Sequence, residues 1–538
     1  MRLSLGDVLI GARFLRKLPS FLRDPLTIDE ARVILRARLE RRETAFLALV
    51  RRGIYENRAS PYRPLLAHAG CEYGDLERSV TRDGVEGTLR DLFRQGVYLT
   101  VDEYKGRRPI QRGSTSISID PVQLRNPQSA CHVPVRTSGS RSRRMPVPMD
   151  LTFIRDCAVN VLLWLHARGA VESVKAHWQV PGSGAMARLL EYASFSPPVR
   201  WFSPIDPTAA GLHPLYRWSA TALQWGSRLA RVPLPRSEYV PFDDPLPIVR
   251  WMDNVLRAGG TPHLHTWPSS AVRVAQAAAT AGVDLDGAQF TVVGEPITDA
   301  RLAVVRRVRA QAWPRYGSVE SGGIGYGCVA PERADEVHLL QDCVAVIQAG
   351  ADGPARDLPV NALLLSSLRP TAPVVLLNVS LGDQASVGSR ACGCPLEKLG
   401  WTTHLHTVRS YEKLTAGGVT FLDTEAIRVL EEVLPSRFGG TPTDYQLVED
   451  AAEDGQPRLR LLVRPEVGPL DPHAVATAFL DAIGEGSQGA RLMALRWRDT
   501  KVLRVQRQAP LTTPSGKILH LHLSQPMTGV GGPPDPAV

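Results

Sequence analysis

The 538-residue chain lacks several features that define whole classes of protein. It has no run of about 18 uninterrupted apolar residues, so we expect no transmembrane helix. Its seven cysteines are too few for this length, and odd in number, which argues against a disulfide framework. Asp7, Arg13, Arg16 and Lys17 interrupt the first apolar stretch, which excludes the hydrophobic region of a secretory signal. We therefore expect a reducing, cytoplasmic location.

Aromatic residues are only 6% of the chain, whereas 43% of residues are hydrophobic and 22% are charged. This is an ordinary globular composition, which excludes collagen, coiled coil and wholesale disorder. Lys and Arg number 63 against 54 Asp and Glu, a surplus that favours an anionic partner. The surplus is spread along the chain without a platform of aromatic and basic side chains. We therefore expect a nucleotide or coenzyme as the partner, and no nucleic acid.

The N-terminal part, residues 1 to about 105, is predicted to be mostly helical. Leu9, Phe14 and Leu18 follow helical spacing in its first segment. This amphipathic helix either docks on a membrane surface or packs on the protein's own body or a second subunit, and we favour packing. The sequence Thr27-Ile28-Asp29-Glu30 predicts a cap before a long helix that ends near Arg52.

The middle of the chain alternates strand and helix patterns. Pro262 to Leu264 and Phe290 to Val293 are predicted strands, and Ser269 or Ser270 is the predicted cap of the helix between them. A strand–helix–strand unit implies parallel pairing, and ligands in such sheets bind at the carboxyl ends of strands. After about Tyr411 the pattern changes to a compact α+β module. The fold class is therefore α/β, with a second, smaller α+β domain.

Four short segments carry residue types suited to a nucleotide. Thr137 to Arg144 combines small hydroxyl residues, a glycine and arginines, which suits phosphate oxygens, although such loops are often only solvated. Tyr316 to Glu320 offers a ring for a base, a glycine and a carboxylate for Mg²⁺, or is simply a glycine-rich turn. Gly382-Asp383 follows a predicted strand, Val374 to Leu381, where an Asp can chelate ribose hydroxyls or lie in a turn. Lys517, after Gly516, offers a mobile positive charge or is only solvated.

The order of these segments, with Gly294-Glu295-Pro296 among them, resembles the adenylate-forming superfamily of acyl-CoA ligases, firefly luciferase and peptide-synthetase adenylation domains. It is most similar to the branch that contains phenylacetate–CoA ligase, and the resemblance covers about Pro61 to His520. It implies an N-terminal domain for ATP and acid at 1–408, with mixed and parallel sheets flanked by helices. A hinge at 409–413, a mobile α+β lid at 414–524 and a disordered tail at 525–538 complete the expected organisation.

The resemblance also implies a role for each matching residue. The loop around the β- and γ-phosphates would be formed by Thr137, Ser138, Gly139, Ser140, Arg141 and Ser142. The adenine would be lined by Gly294, Glu295 and Pro296 and flanked by Tyr316 and Gly317. Glu320 would coordinate Mg²⁺, Asp383 and Arg409 would reach the ribose, and Lys517 would bridge the substrate carboxylate and the nucleotide during catalysis.

The sequence departs from the family pattern at three places. Arg141 and Ser142 replace a threonine and a glycine of the phosphate loop, which removes a residue that tolerates positive φ. Only Gly382 and Asp383 remain of the usual Tyr-Arg-Thr-Gly-Asp. The hinge offers Tyr411-Glu412 where the family prefers Asp. These departures weaken the expectation of ordinary thioester synthesis more than the expectation of the fold.

A separate group of residues has the composition of a metal site. Cys328 precedes His338 by ten positions, and Cys392-Gly393-Cys394 follows. Three thiolates and one imidazole form a closed tetrahedral set, which is typical of structural zinc. The alternative is four unrelated residues with buried cysteines. The branch named above often carries a comparable cluster, which favours the zinc interpretation.

The sequence as a whole predicts an AMP-forming ligase that activates an aryl or acyl carboxylic acid with MgATP. Coenzyme A is the acceptor that the resemblance implies. The alternatives are a carrier-protein thiol or an amine or hydrazine nitrogen as acceptor, and a non-catalytic binding protein of the same fold. The family resemblance leaves both a monomer and a homodimer open.

Overall fold

The computed structural model describes residues 5–136, 145–180, 182–206, 214–350, 357–411, 415–416, 419–420, 423–450, 458–485, 491, 494, 497–498, 503–513 and 516–524. The predicted phosphate loop at 137–144, positions 412–413 of the predicted hinge and the predicted tail at 525–538 lie outside the described residues.

The N-terminal part is built from helices: α1 Leu5–Arg23, α2 Ile28–Glu40, α3 Arg42–Val50, α4 Tyr62–His68, α5 Tyr73–Arg94 and α6 Val101–Tyr104. Thr27 and Glu30 form the predicted reciprocal cap of α2. The prediction of one long helix to Arg52 was wrong, because the backbone leaves helical geometry at Arg41 and a π-helical turn follows at Arg51–Tyr55. The break allows α3 to bury its own apolar face against the interior.

The central part of the chain carries two small antiparallel pairs, formed by β1 Ile110–Arg112, β2 Thr115–Ile117, β3 Val133–Arg136 and β4 Pro146–Met149. Strands and helices then alternate as α7 Leu151–Ala167, β5 Val174–Trp178, α8 Ser183–Ala193, β6 Arg200–Ser203, α9 Pro214–Leu229, β7 Ser237–Tyr239, α10 Leu246–Arg257, β8 Pro262–Thr266, α11 Pro268–Thr280, β9 Gln289–Val293, α12 Asp299–Arg307 and β10 Gln311–Ser318. The strands that follow are β11 Gly322–Gly327, β12 Val337–Leu339, β13 Val344–Gln348, β14 Leu363–Ser367, β15 Asp383–Ser389 and β16 Thr403–Ser410.

Ten of these strands form one large mixed sheet in the order β15-β16-β12-β11-β10-β9-β8-β5-β6-β7. The strands from β7 to β10 pair in parallel, and those from β10 to β15 pair antiparallel. Strand β10, which carries Tyr316, therefore lies where the parallel part meets the antiparallel part. The predicted α/β class with mixed sheets and flanking helices is confirmed.

Two local predictions in this region need correction. The N-cap of helix α11 is Trp267, two residues before Ser269, the nearer of the two predicted serine caps. Pro268 is the first helical residue, a position where proline costs no hydrogen bond. The segment Val374 to Leu381 is not a strand and forms only isolated bridges at Val374 and Val379. Asn378 has a φ of 50° and its side-chain amide donates to backbone carbonyls of other segments, which is incompatible with a regular ladder.

Helix α1 packs on α9, and its residues Phe14 and Leu18 are buried there. The closeness is set by a glycine, because a Cβ atom at Gly226 would lie 2.7 Å from a methyl carbon of Leu18. The favoured interpretation, packing on the protein's own body, is therefore confirmed for this face of α1. Within the described ranges, no helix has both the length and the apolar character to cross a membrane.

The C-terminal module comprises β17 Thr415–Ala416, β18 Val419–Thr420, α13 Asp423–Arg428, a π-helical turn Val429–Val433, α14 Leu434–Phe438, β19 Tyr445–Asp450, β20 Arg458–Val463, α15 Pro472–Gly484, β21 Leu503–Arg507 and β22 Leu521–Ser524. Its four-stranded sheet has the order β21-β20-β19-β22. Leu461, Val475 and Phe479 are fully buried between this sheet and the helices. The module therefore has a hydrophobic core of its own.

Candidate active site

Tyr316 and Asp383, predicted to bind the same nucleoside, are in direct contact. The Tyr316 hydroxyl donates a hydrogen bond to Oδ2 of Asp383 at 3.0 Å. Burial and the neighbouring Asp383 carboxylate raise the pKa of Tyr316 well above its usual value of 10.0, so the hydroxyl stays protonated and remains a donor. Tyr316 lies near the end of β10 and Asp383 is the first residue of β15, after Gly382 with a φ of 96°. The fold thus brings together two predicted site residues that are 67 positions apart in the sequence.

Glu320 lies in the tight turn between β10 and β11, only a few residues after Tyr316. Its side chain is buried, and its Oε1 is 3.5 Å from the Tyr104 hydroxyl. Burial raises the pKa of Glu320 above its usual value of 4.5. The turn is fixed from behind, because a Cβ atom at Gly322 would lie 2.8 Å from Sγ of Cys157 on α7. A buried carboxyl group is chemically suited to a divalent cation such as Mg²⁺, which prefers oxygen ligands.

Lys517 of the C-terminal module lies against Gly294, at the end of β9. A Cβ atom added to Gly294, whose φ is 81°, would lie 2.6 Å from the Lys517 Nζ atom. The lysine extends from a turn closed by two hydrogen bonds, from Thr513 N to Lys517 O at 2.9 Å and from Lys517 N to Thr513 Oγ1 at 3.1 Å. The Phe242 ring leaves no room for a side chain at Gly516 in that turn. The two glycines therefore allow the lysine to approach the large sheet closely.

Two side chains with predicted nucleotide contacts are engaged in other interactions. Arg409 donates from one terminal nitrogen to Asp335 at 2.8 Å, and its strand neighbour Ser410 pairs with Asp383. The Glu295 carboxylate accepts hydrogen bonds from Ser269 N, Ser269 Oγ, Arg301 and Ile518 N, at 2.9 to 3.0 Å. Its two oxygens are thus directed to protein partners. Pro296 offers its carbonyl to Arg301 at 3.2 Å, and Gly317 pairs so closely with β11 that only glycine fits there.

The residues Cys328, His338, Cys392 and Cys394 form a compact cluster in which one ligand atom from each lies within 4.8 Å of all the others. The His338 Nε2 atom is 3.2 Å from Sγ of Cys394 and 3.6 Å from Sγ of Cys392. On the other side of the ring, Nδ1 is 2.6 Å from the Trp401 carbonyl, which selects the tautomer with a proton on Nδ1 and leaves Nε2 free to ligate a metal. The three thiols and one imidazole, together with the contact between His338 Nδ1 and the Trp401 carbonyl, fit a structural zinc ion.

A second combination, Cys328 with Glu336 and His404, also comes within 4.8 Å. The Glu336 carboxylate is already bound by Arg390, with Nε to Oε1 at 3.0 Å, and by the Glu332 backbone N–H at 2.5 Å. An Arg390 terminal nitrogen lies 3.7 Å from Sγ of Cys328, where it would offset thiolate charge. The combination of His338 with the three cysteines therefore fits zinc better. Glu336 and Arg390 lie beside this cluster and pair with each other.

No protein-family model matches the chain, and no curated protein matches it by sequence. Solved structures do match it. A structure of 2-hydroxyisobutyryl-CoA ligase in the postadenylation state with 2-HIB-AMP aligns with 94% of this chain and 91% of its own, at a TM-score of 0.52 and 14% identity. The chain has the fold of the adenylate-forming enzymes. An amide bond synthetase, Mcba from Marinactinospora thermotolerans, aligns over 94% and 97% at 0.41 and 13% identity, and the anthranilate CoA ligase AuaEII over 71% and 64% at 0.43 and 13%.

Two buried ion pairs at the site, four residues in all, were not predicted from the sequence. Arg315, adjacent to Tyr316, forms a two-pronged ion pair with Glu191 of α8 at 2.9 and 2.7 Å, and both side chains are buried. Arg301 joins the segment after β9 to the C-terminal module. An arginine next to the predicted Tyr316 segment was a visible signal for the first pair. The partners Glu191 and Glu431 have no local pattern that distinguishes them from surface acids.

Proposed function

We propose that the protein is an AMP-forming carboxylate ligase that converts a carboxylic acid and MgATP into an acyl-adenylate and then transfers the acyl group to a thiol. The observation that supports this most is that Tyr316 bonds to Asp383 while Lys517 approaches Gly294, which follows the strand paired with the one that carries Tyr316. The fold is shared with adenylate-forming enzymes. The 2-hydroxyisobutyryl-CoA ligase of that fold holds an acyl-adenylate, 2-HIB-AMP, as its bound ligand. Coenzyme A is the first acceptor that we propose.

The first half-reaction is a displacement at phosphorus. An oxygen of the substrate carboxylate attacks the α-phosphorus of ATP, and the bond from that phosphorus to the departing pyrophosphate oxygen breaks. Negative charge grows around phosphorus, and the Lys517 ammonium, placed beside Gly294, offsets it. Tyr316 and Asp383 orient the nucleoside, and Glu320 is the residue that would hold Mg²⁺. Bound Mg²⁺ supplies positive charge to the phosphates.

The second half-reaction consumes the mixed anhydride. A thiolate attacks the acyl carbonyl carbon, and the bond from that carbon to the phosphate oxygen of AMP breaks. This step breaks a bond at carbon, so the charge around phosphorus that Lys517 offsets in the first half-reaction does not develop, and the two half-reactions are separable by mutation. This difference gives the proposal a test that does not depend on overall turnover.

We also propose that Cys328, His338, Cys392 and Cys394 hold a structural zinc ion. These four residues would fill all four positions of a tetrahedral zinc ion, so no position would be open for a substrate. The cluster connects strands β11 and β12 with the segment between β15 and β16, which are neighbours in the antiparallel half of the large sheet. The ion would therefore brace strands that lead back to Glu320 on one side and Asp383 on the other. Thiolate ligands suit the reducing cytoplasmic location that we propose.

Exchange of labelled pyrophosphate into ATP, measured with a panel of aryl and acyl acids, tests the first half-reaction. We expect exchange with at least one acid and none without acid. Acceptors are then compared with that acid: coenzyme A, a carrier-protein thiol, and an amine or hydrazine. If product forms only with an amine or hydrazine, the acceptor is a nitrogen nucleophile and not the thiol that we propose. Absence of exchange with every acid would favour a non-catalytic binding protein of this fold.

A further inference from the structure

Arg301 of α12 is a buried cation that binds two buried carboxylates. Its Nε donates to Glu431 Oε1 at 2.7 Å, and one terminal nitrogen donates to Glu295 Oε2 at 2.9 Å. The other terminal nitrogen is 3.2 Å from Nε2 of His520. The arginine is only 1% exposed. A planar guanidinium group can donate to two carboxylates in different directions at once, whereas a lysine ammonium on a flexible stem cannot hold the same geometry.

These four residues, the Arg301 network, belong to two different parts of the fold. Glu295 and Arg301 follow β9 in the large sheet's part of the chain, whereas Glu431 and His520 belong to the C-terminal module. Glu431 also accepts from Thr298 Oγ1 and lies 2.6 Å from Nε2 of His520. Burial by itself would raise the pKa of Glu431, but Arg301 and His520 lower it to about 2. The contact between the two parts is therefore made here by buried, ionised groups.

The network leads directly to Lys517. The backbone N–H of Ile518, the next residue, donates to Glu295 Oε1 at 3.0 Å. His520, two residues further along, lies with its Nε2 atom 2.6 Å from Glu431 Oε1. On the other side of the lysine, Gly516 lies against the Phe242 ring. The chain that carries Lys517 is thus fixed on both sides, and two of the fixing residues, Glu295 and Arg301, are anchored near Gly294.

From this geometry we infer that Glu295, Arg301 and Glu431 are positioning residues that hold Lys517 beside Gly294 during adenylation. The inference rests on the proposed function and gives the Glu295 side chain a role other than nucleotide contact. Loss of Arg301 leaves two buried carboxylates without their shared cation, and their repulsion would separate the C-terminal module from α12. Lys517 would then move away from the reacting phosphate. A shift of about 1 Å in a catalytic group can lower a rate by about a hundredfold.

The test compares Arg301→Gln and Arg301→Lys with a control variant, Arg306→Gln, which changes an exposed arginine of the same helix. Three quantities are measured: pyrophosphate exchange with an acid that supports exchange in the wild-type protein, acyl transfer from that acid's synthetic adenylate to its acceptor, and hydrogen exchange of the 516–520 segment. We expect exchange to fall about a hundredfold in Arg301→Gln and about tenfold in Arg301→Lys, with acyl transfer within about threefold of wild type. The Ile518 amide should exchange its hydrogen faster in both Arg301 variants than in wild type. Its exchange rate should be unchanged in Arg306→Gln.

Three results would overturn the inference. One is unchanged pyrophosphate exchange in Arg301→Gln. Another is an equal fall in both half-reactions, which indicates general loss of structure rather than misplacement of Lys517. The third is unchanged hydrogen exchange at Ile518. A wild-type protein with no pyrophosphate exchange would contradict the proposed function instead, and the hydrogen exchange of Ile518 would still decide whether Arg301 holds this segment.

Discussion

Replacing Glu191 by Gln changes the side-chain volume very little but should destabilise the protein strongly, because it breaks a buried ion pair with Arg315, the residue next to Tyr316. Arg315 grips both oxygens of Glu191 at 2.9 and 2.7 Å, and Arg188 adds a contact at 3.0 Å. The side chains of Glu191 and Arg315 are 2% and 0% exposed. The substitution leaves Arg315 charged and buried without a carboxylate. Removing one partner of such a pair costs roughly 3–5 kcal/mol.

The matched control is Glu238→Gln. Glu238 pairs with Arg200 at a similar distance, 3.0 Å, but the two side chains are 48% and 53% exposed. Water screens such a pair, so its loss should cost at most about 1 kcal/mol. Free energies of unfolding from urea titrations measure both costs. A Glu191→Gln variant that is no less stable than Glu238→Gln would refute the reasoning.

The same pair predicts how stability depends on pH. Burial alone would raise the pKa of Glu191, but Arg315 and Arg188 lower it below its usual value of 4.5. A depressed folded-state pKa means that the stabilisation is complete above pH 4.5 and is lost as the pH falls through the folded-state pKa. The difference in unfolding free energy between wild type and Glu191→Gln should therefore shrink below pH 4.5. A difference that stays constant there would contradict the assignment of an ionised Glu191.

Three further predictions concern the site. Lys517→Ala should lower pyrophosphate exchange by about a hundredfold or more, while ATP affinity measured by calorimetry changes little. The control Lys398→Ala replaces an exposed lysine and should leave both quantities unchanged. Tyr316→Phe removes the donor to Asp383 and should weaken ATP binding by about tenfold, the equivalent of one charged hydrogen bond; unchanged binding would separate this pair from the nucleotide. Cys394→Ser should lower bound zinc from about one ion per chain to near zero and lower the melting temperature, whereas Cys71→Ser, outside the cluster, should keep the metal.

Local chemistry made several features predictable. The cap formed by Thr27 and Glu30 depends on residues three apart, and the β8–α11–β9 unit follows from short apolar runs around one helix. The break at Arg41 and the irregular path at Asn378 were not predictable in this way. Asn378 bonds to Leu89 and Val97, and Arg42, next to the break, bonds to Gln341 and Glu86. A helix or strand pattern in the sequence does not report such contacts with distant segments.

The sequence by itself determined the residue types that the proposed chemistry needs, the order in which they occur, and the glycines at 294, 382 and 516, each with a positive φ that other residues adopt at a cost. Only the tertiary structure decided which of them meet. It joined Tyr316 to Asp383, brought Lys517 to Gly294, and turned the Glu295 carboxylate towards Arg301 and Ile518. The reason is physical: φ preferences and caps act within a few residues, whereas buried ion pairs form only after the chain has folded and excluded water from both partners.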